Sequence, residues 1–267
     1  MFEHDWESIC KQTIPIVREA AAFIHRKQGK VREEEIEEKE LNSFVSYVDK
    51  EAEKILVSNL GELIPGSTFF TEEDTVQNKE SDCTWVIDPL DGTTNFLQKI
   101  PFYSVSVALR YHGRIVIGIV HEIVRSEVFY SWEAGGSYMN GEKIRVSNQT
   151  DLAKAIVATG FPYKRDLRTD QYLEVLVELI KSTRAIRRLG SAALDLAYVA
   201  CGKFDVFYEF NLNPWDVSAG ALIVMEAGGK LSGFYQPEEW KTGKTIIAGN
   251  EYMLTQLKQR IAYSIPS

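Results

Sequence analysis

The sequence predicts a layered architecture of helices packed on sheets, of the α/β or α+β kind, and three observations carry that reading. Over residues 3–27, Trp6, Ile9, Cys10, Ile14, Val17, Ala21 and Ile24 recur at spacings of three and four, the pattern of an amphipathic helix. From Thr68 the period changes to short runs rich in β-branched and aromatic residues, separated by turn signals. From Ala155 onward, short strand-like runs alternate with helical ones.

The elements follow in order. Pro15 falls inside the first helical pattern and is expected to kink or split it. Residues 32–40 hold five glutamates within 33–38 and read as a solvated hairpin or loop. Val48 to Leu63 is helical, with Ala52, Ile55, Leu56 and Leu60 on one face and Pro65-Gly66 as the stop. Strands are expected at Thr68–Thr71, Thr84–Ile87, Ser104–Arg110, Ile115–Glu122 and Glu127–Trp132, followed by a tight turn at Asn140-Gly141. This block reads as an antiparallel meander. The second part predicts strands at Ala155–Thr159, Ala185–Arg188, Asp205–Glu209 and Thr245–Ala248. Helices are expected at Thr169–Lys181, Ala192–Ala200, Val217–Ala227 and Tyr252–Ala262. A composition shift near 140–155 marks a soft boundary between an N-terminal α+β half, 1–145, and a C-terminal α/β half, 146–267, packed as one functional unit.

A formal net charge of −8 argues against nucleic acid or an anionic membrane as the main partner. It does not exclude an anionic substrate if metal ions supply positive charge locally. Cys10, Cys83 and Cys201 form neither a disulfide framework nor a zinc pattern. With no signal-like apolar core near the start and no run approaching 18 apolar residues, a soluble cytoplasmic protein is expected.

The chemistry concentrates in the run WVIDPLDGTTNF, Trp85 to Phe96. Asp88 and Asp91 project from a backbone stiffened by Pro89, and Gly92-Thr93-Thr94 offers N–H groups and hydroxyls suited to phosphate. Glu72-Glu73 ends an earlier strand, and Asp216 stands at the start of an apolar helix. Singly, each has an ordinary reading as a strand end, a turn or an N-cap. Together they are hard oxygen ligands that can converge on one cleft, as Mg²⁺ requires. HExxH, paired CxxC, P-loop and GxSxG motifs are missing, and His4, His25, His112 and His121 are scattered. His121 reads as a core or rim histidine.

WVIDPLDGTTNF together with NPWDVSAGALIVMEAGG resembles the paired signature of the inositol monophosphatase family of Mg²⁺-dependent, lithium-sensitive phosphatases. FFTEED (69–74), FVSYVDKEAE (44–53), YMNGEKIRVS (138–147), ATGFP (158–162), LGSAALDLAYVACGKFDVFYE (189–209) and IIAGN (246–250) extend the likeness over roughly residues 5–262. Ser218 stands where the family commonly has alanine, a departure expected to have little chemical consequence. Asn42-Ser43-Phe44 lacks an acid sometimes found there, which leaves Asp49 unaffected.

The resemblance implies the sugar-phosphatase fold: α+β, a layered αβαβα sandwich with mixed, largely antiparallel sheets. It implies two or three Mg²⁺ ions, the first held by Glu72, Asp88 and the Leu90 carbonyl, the second by Asp88, Asp91 and Asp216. Glu72 would also help hold a third ion through water. Thr93, backed by Asp49, would face the attacking water, so that Glu72, Thr93 and Asp49 form the catalytic set. Leu90, Asp91, Gly92 and Thr93 would meet the substrate on the phosphate side. Gly190, Ser191, Ala192 and Glu209 would line the alcohol or sugar side, with Asp216 also in reach. The implied substrate is a small phosphorylated polyol, sugar or nucleotide, with myo-inositol 1-phosphate foremost. Fructose 1,6-bisphosphate, 3′-phosphoadenosine 5′-phosphate and histidinol phosphate are the alternatives. A regulatory partner-binding role with secondary catalysis is the lesser one, and the family's habit suggests a homodimer.

Overall fold

The computed structural model describes residues 5–40, 43–161 and 167–264. Its helices are α1 (Trp6–Lys27), α2 (Tyr47–Leu63), α3 (Thr93–Leu97), α4 (Leu167–Ser182), α5 (Ala192–Ala200), α6 (Pro214–Glu226) and α7 (Glu251–Ser264). The strands are β1 (Ile36–Glu40), β2 (Ser43–Ser46), β3 (Thr68–Thr71), β4 (Cys83–Asp91), β5 (Ser104–Tyr111), β6 (Arg114–Glu122) and β7 (Glu127–Trp132). They continue as β8 (Gly136–Met139), β9 (Glu142–Ile144), β10 (Ile156–Thr159), β11 (Ala185–Arg187), β12 (Val206–Phe210), β13 (Lys230–Ser232) and β14 (Thr245–Gly249).

A seven-stranded sheet has the order β3-β4-β5-β6-β7-β8-β9, and a five-stranded sheet the order β11-β10-β12-β14-β13. The two-residue alternation of strands then builds five layers. Trp85 and Ile87 of β4 join the core under α1 and α2, while Val86 joins the core shared with α5 and α6. On β12, Phe207 faces the same α5–α6 layer, whereas Val206, Tyr208 and Phe210 pack with α4 and α7. The expected αβαβα sandwich with mixed, largely antiparallel sheets is therefore the architecture found. Both middle helices are almost wholly buried, as their all-round apolar sequences require.

The hairpin turns follow sequence chemistry. His112-Gly113 and Asn140-Gly141 all take positive φ, the tight-turn geometry that matches strand twist.

Several expectations change. Helix α1 runs unbroken through Pro15, which sits on the solvent face, so water can reach the carbonyl that Pro15 leaves unbonded. The first sheet is not a pure meander, since β3 and β4 run parallel. The glutamate-rich stretch forms part of the β1–β2 hairpin, although Asn42 of the departing motif lies outside the described residues. Strand β13 carries no clear period-two signal and was not anticipated. His121 is buried in β6, with neither ring nitrogen hydrogen-bonded among the described residues, and burial pushes its pKa down to about 4. It is a neutral core histidine.

Ser218 does more than an alanine could. Its hydroxyl donates to the Pro214 carbonyl (2.6 Å) and accepts from Arg110 Nη2 (2.9 Å), tying α6 to β5. Ser106 adds a second tie, donating to the Trp215 carbonyl (3.2 Å). At Gly118 of β6 the contact is closer still: a Cβ there would lie 2.6 Å from the Ala219 backbone oxygen of α6. Gly118→Ala must therefore push α6 off the sheet or strain both, and should cost about 1–3 kcal/mol in urea unfolding. An unchanged midpoint would refute this contact.

Candidate active site

The candidate residues gather where the two sheets meet the ends of the middle helical layer. Asp88 shares parity with Val86 on β4, so its carboxylate faces α5 and α6; Glu209 shares parity with Phe207 on β12 and faces them from the opposite sheet. The sequence reading took Asp88–Asp91 as a turn. It is instead the end of β4, and the pairing with β5 slips between Asp88 and Asp91. Pro89 cannot donate a ladder hydrogen bond, which suits it to this irregularity. The slip lets both acids serve one site.

Gly92 follows at φ +94°, and a Cβ there would stand 3.2 Å from the Gly190 and Phe102 carbonyl oxygens. Only glycine fits this backbone comfortably. The chain then turns at once into α3, which the strand-centred reading missed. Asn95 of α3 donates to the Phe102 (2.7 Å) and Leu189 (2.8 Å) carbonyls and so ties the turn to the 189–191 segment.

Each carboxylate is held by short-range donors. Asp49 is the third residue of α2 and completes a capping box: its Oδ2 accepts from Ser46 N (2.9 Å) and Ser46 Oγ (2.8 Å). Asp216 holds the same place in α6, where its Oδ2 accepts from Asn213 N (2.6 Å). This corrects the expected N-cap, which is Asn213. Asp91 Oδ2 accepts from Ser191 Oγ (2.6 Å) and Ala193 N (2.8 Å), so Ser191 and its neighbours act first on Asp91. Asp88 Oδ1 accepts from Leu90 N (2.9 Å).

Thr93 Oγ lies 3.1 Å from Asp49 Oδ1 and 3.0 Å from the Leu90 carbonyl. A hydroxyl has one proton, so both contacts are fully made only if the proton is shared or a protonated Asp49 donates to Thr93. Burial raises the Asp49 pKa, against hydrogen bonds from Ser46 and Thr93 that hold it down. The Asp49–Thr93–Leu90 line can take up or return a proton.

Electrostatics marks the cluster. Burial raises Asp88 well above the usual carboxylate range, and the charges of Glu72, Asp91 and Asp216 raise it further. Asp91 is pushed up to about 6 by burial, against hydrogen bonds from Ser191 and Ala193 and the charge of Arg188. Asp216 is raised by burial and by Asp91. Like charges this close favour a bound cation, and all the donors are hard oxygens, so the residues fit Mg²⁺ in chemical type. Among the described residues, no three His, Cys, Asp or Glu side chains are drawn tightly enough to form a ready coordination cage. Their hydrogen bonds turn Asp49, Asp88, Asp91 and Asp216 toward separate local donors.

Two residues escaped the sequence reading. Glu53 of α2 is fully buried, and its carboxylate accepts from Thr71 Oγ, Glu73 N, Thr75 N and Thr75 Oγ at 2.6–3.0 Å. It shapes the backbone that presents Glu72. An acid beside the apolar positions Ala52 and Leu56 was the available signal. Asp195 of α5 is also buried, with Oδ1 lacking a partner among the described residues; burial and the charges of Glu209 and Asp91 raise its pKa.

Glu209 is pushed up to about 8 by burial, opposed by Arg188 and reinforced by Asp91. The folded chain therefore binds this proton more tightly than the unfolded chain. The stabilisation is complete below the unfolded carboxylate pKa and is lost as pH rises through about 8. Between pH 5 and 9, wild type should lose up to about 4 kcal/mol relative to Glu209→Gln in metal-free urea unfolding. Parallel stability–pH curves for the two proteins would contradict this.

The inositol monophosphatase family model matches residues 5–265. The Escherichia coli K12 protein named Nus factor SuhB is 42% identical over 217 residues, 81% of each chain. The Pseudomonas aeruginosa protein of the same name is 38% identical over 254 residues, 93% of this chain and 94% of its own. Among solved structures, extragenic suppressor protein SuhB from Bartonella henselae superposes with a TM-score of 0.88 at 36% identity, covering 93% of this chain and 96% of that one. The Thermotoga maritima IMPase gives 0.87 at 31% identity, covering 96% and 97%. With this match along nearly its whole length, the chain belongs to the inositol monophosphatase family.

Proposed function

We propose that the protein hydrolyses a small phosphate monoester in the presence of Mg²⁺, with myo-inositol 1-phosphate the foremost substrate. The observation that carries this reading is the cluster of mutually repelling carboxylates from β4, α6 and the end of β3, beside the Asp49–Thr93 pair. Glu72, Asp88 and the Leu90 carbonyl would hold one ion, and Asp88, Asp91 and Asp216 a second, with Glu72 contributing to a third. When bound, Mg²⁺ supplies charge against the phosphate dianion and Lewis acidity toward water and the leaving oxygen.

The chain's own groups do the rest. Thr93 orients the attacking water and passes a proton to Asp49, where geometry matters as much as pKa. Backbone at Gly92 and Thr93 meets phosphate oxygens. Gly190, Ser191 and Ala192 form the wall beside the leaving group, and Glu209 accepts or donates hydrogen bonds to its hydroxyls. No cysteine, serine or histidine among these residues is needed as a covalent nucleophile. A cytoplasmic location and a homodimer belong to the same reading. Among the described residues no helix is long and apolar enough to cross a membrane, which agrees with a substrate met in water.

The name Nus factor, carried by the Escherichia coli and Pseudomonas aeruginosa relatives, favours a second reading in which partner binding is the main role and catalysis secondary. A phosphate-release panel decides between them. It would use Mg²⁺ with and without Li⁺, on inositol 1-phosphate, fructose 1,6-bisphosphate, 3′-phosphoadenosine 5′-phosphate and histidinol phosphate. Asp91→Asn should cut Mg²⁺-dependent turnover at least about a hundredfold while leaving the unfolding transition cooperative. Wild-type turnover by this variant, or by metal-stripped protein, would sink the mechanism.

A further inference from the structure

Arg188 lies just beyond β11 and is exposed, yet its side chain returns toward the pocket. A Cβ added at Gly190 would stand 2.7 Å from Arg188 Nη1, so the missing side chain is what leaves room for the guanidinium. The guanidinium carbon sits 5.7 Å from the centre of the Phe161 ring, and Phe161 is itself 41% exposed. Phe161 directly follows Gly160, against which the Glu209 carboxylate packs: a Cβ at Gly160 would fall 1.9 Å from Glu209 Oε1. Gly160, Glu209 and Gly190 are thus one wall, with Arg188 and Phe161 on its rim.

Among the described residues Arg188 forms no ion pair with a carboxylate, although its charge reaches Asp91, Asp195 and Glu209. A cation stacked on an aromatic ring is held in place while its N–H fork stays available. That fork suits a planar or tetrahedral oxyanion, which it can grip with two parallel hydrogen bonds. The wall meets the Gly92–Thr93 turn at the Gly190 carbonyl, and Arg188 and Phe161 form its exposed rim. With the reacting phosphate taken at the turn, as in the function proposed above, an anion gripped by Arg188 at the rim is a second one, carried by the alcohol half of the substrate.

We infer that Arg188, braced by Phe161, is a specificity residue that, among sugar phosphates, favours those whose leaving group bears a second anionic group, a phosphate or carboxylate. This rests on the phosphatase reading above and adds a subsite to it. Glu209 would read the hydroxyls of the same leaving group from the floor of the wall.

The test compares fructose 1,6-bisphosphate with fructose 1-phosphate, which differ by the second phosphate. Wild type should favour the bisphosphate in kcat/KM. Arg188→Gln should lose about 10- to 100-fold on the bisphosphate and less than about threefold on the monophosphate. Arg188→Lys should recover part of the loss, and Phe161→Ala should weaken the preference in the same direction. Equal losses on both substrates, or none, would overturn the assignment. Calorimetric titration of wild type and Arg188→Gln with both sugars reads the preference without turnover. If wild type with Mg²⁺ hydrolyses neither sugar nor any panel substrate, the phosphatase reading fails. The titration then decides the anion subsite by itself: a bisphosphate preference lost in Arg188→Gln supports it, and equal affinities overturn it.

Discussion

Carboxylates sharing a buried corner repel one another, and the rest of this structure is arranged to hold them there. The means is the same at each position. One oxygen is fixed by nearby hydrogen-bond donors, as in the capping boxes at Asp49 and Asp216 and the Ser191–Ala193 pair at Asp91. The cost of bringing the charges together remains in their raised pKa values. A bound divalent cation would offset that cost, and the hard-oxygen donor set points to the same chemistry.

The middle helical layer makes the arrangement possible. Helices α5 and α6 are apolar on all sides because a sheet covers each face, and their N-terminal ends open at one place. Ser191 caps α5 and donates to Asp91, while Asp216 caps α6 from within. The same helix starts thus complete their own backbone hydrogen bonding and position the acids. Ser218, Arg110 and Ser106 then fix α6 against the first sheet, so Asp216 moves with β4 and β5.

Much of this was legible in the sequence, for local reasons. The strands β5, β6 and β7 and the turn at Asn140-Gly141 follow from alternation and turn residues, which act within a few positions. The site acids stand out because Asp88, Asp91 and Gly92 form a dense local pattern, and the Thr93–Asp49 contact implied by the family likeness is present. What could not be read was set by distant partners. The parallel pairing of β3 with β4 is a choice between two directions with the same side-chain pattern. Ser218 looked neutral because its role depends on Arg110, over one hundred residues away. Glu53 and Arg188 resemble ordinary surface charges until the fold shows what surrounds them.

The placement of α6 also bears on how the protein is made. It packs against β4, β5, β6, β7 and β8 and supplies Asp216, yet it lies far along the chain. On the ribosome, the first sheet emerges complete well before its inner cover does. During that interval Val86, Ala108, Val120 and Phe129 face outward, an apolar surface of the kind that chaperones shield and that drives aggregation. Glu72, Asp88 and Asp91 meanwhile stand at the uncovered ends of β3 and β4, where water screens them. Charge crowding therefore becomes complete only when α6 docks and brings Asp216, after the apolar surface has begun to supply the driving force that tolerates it.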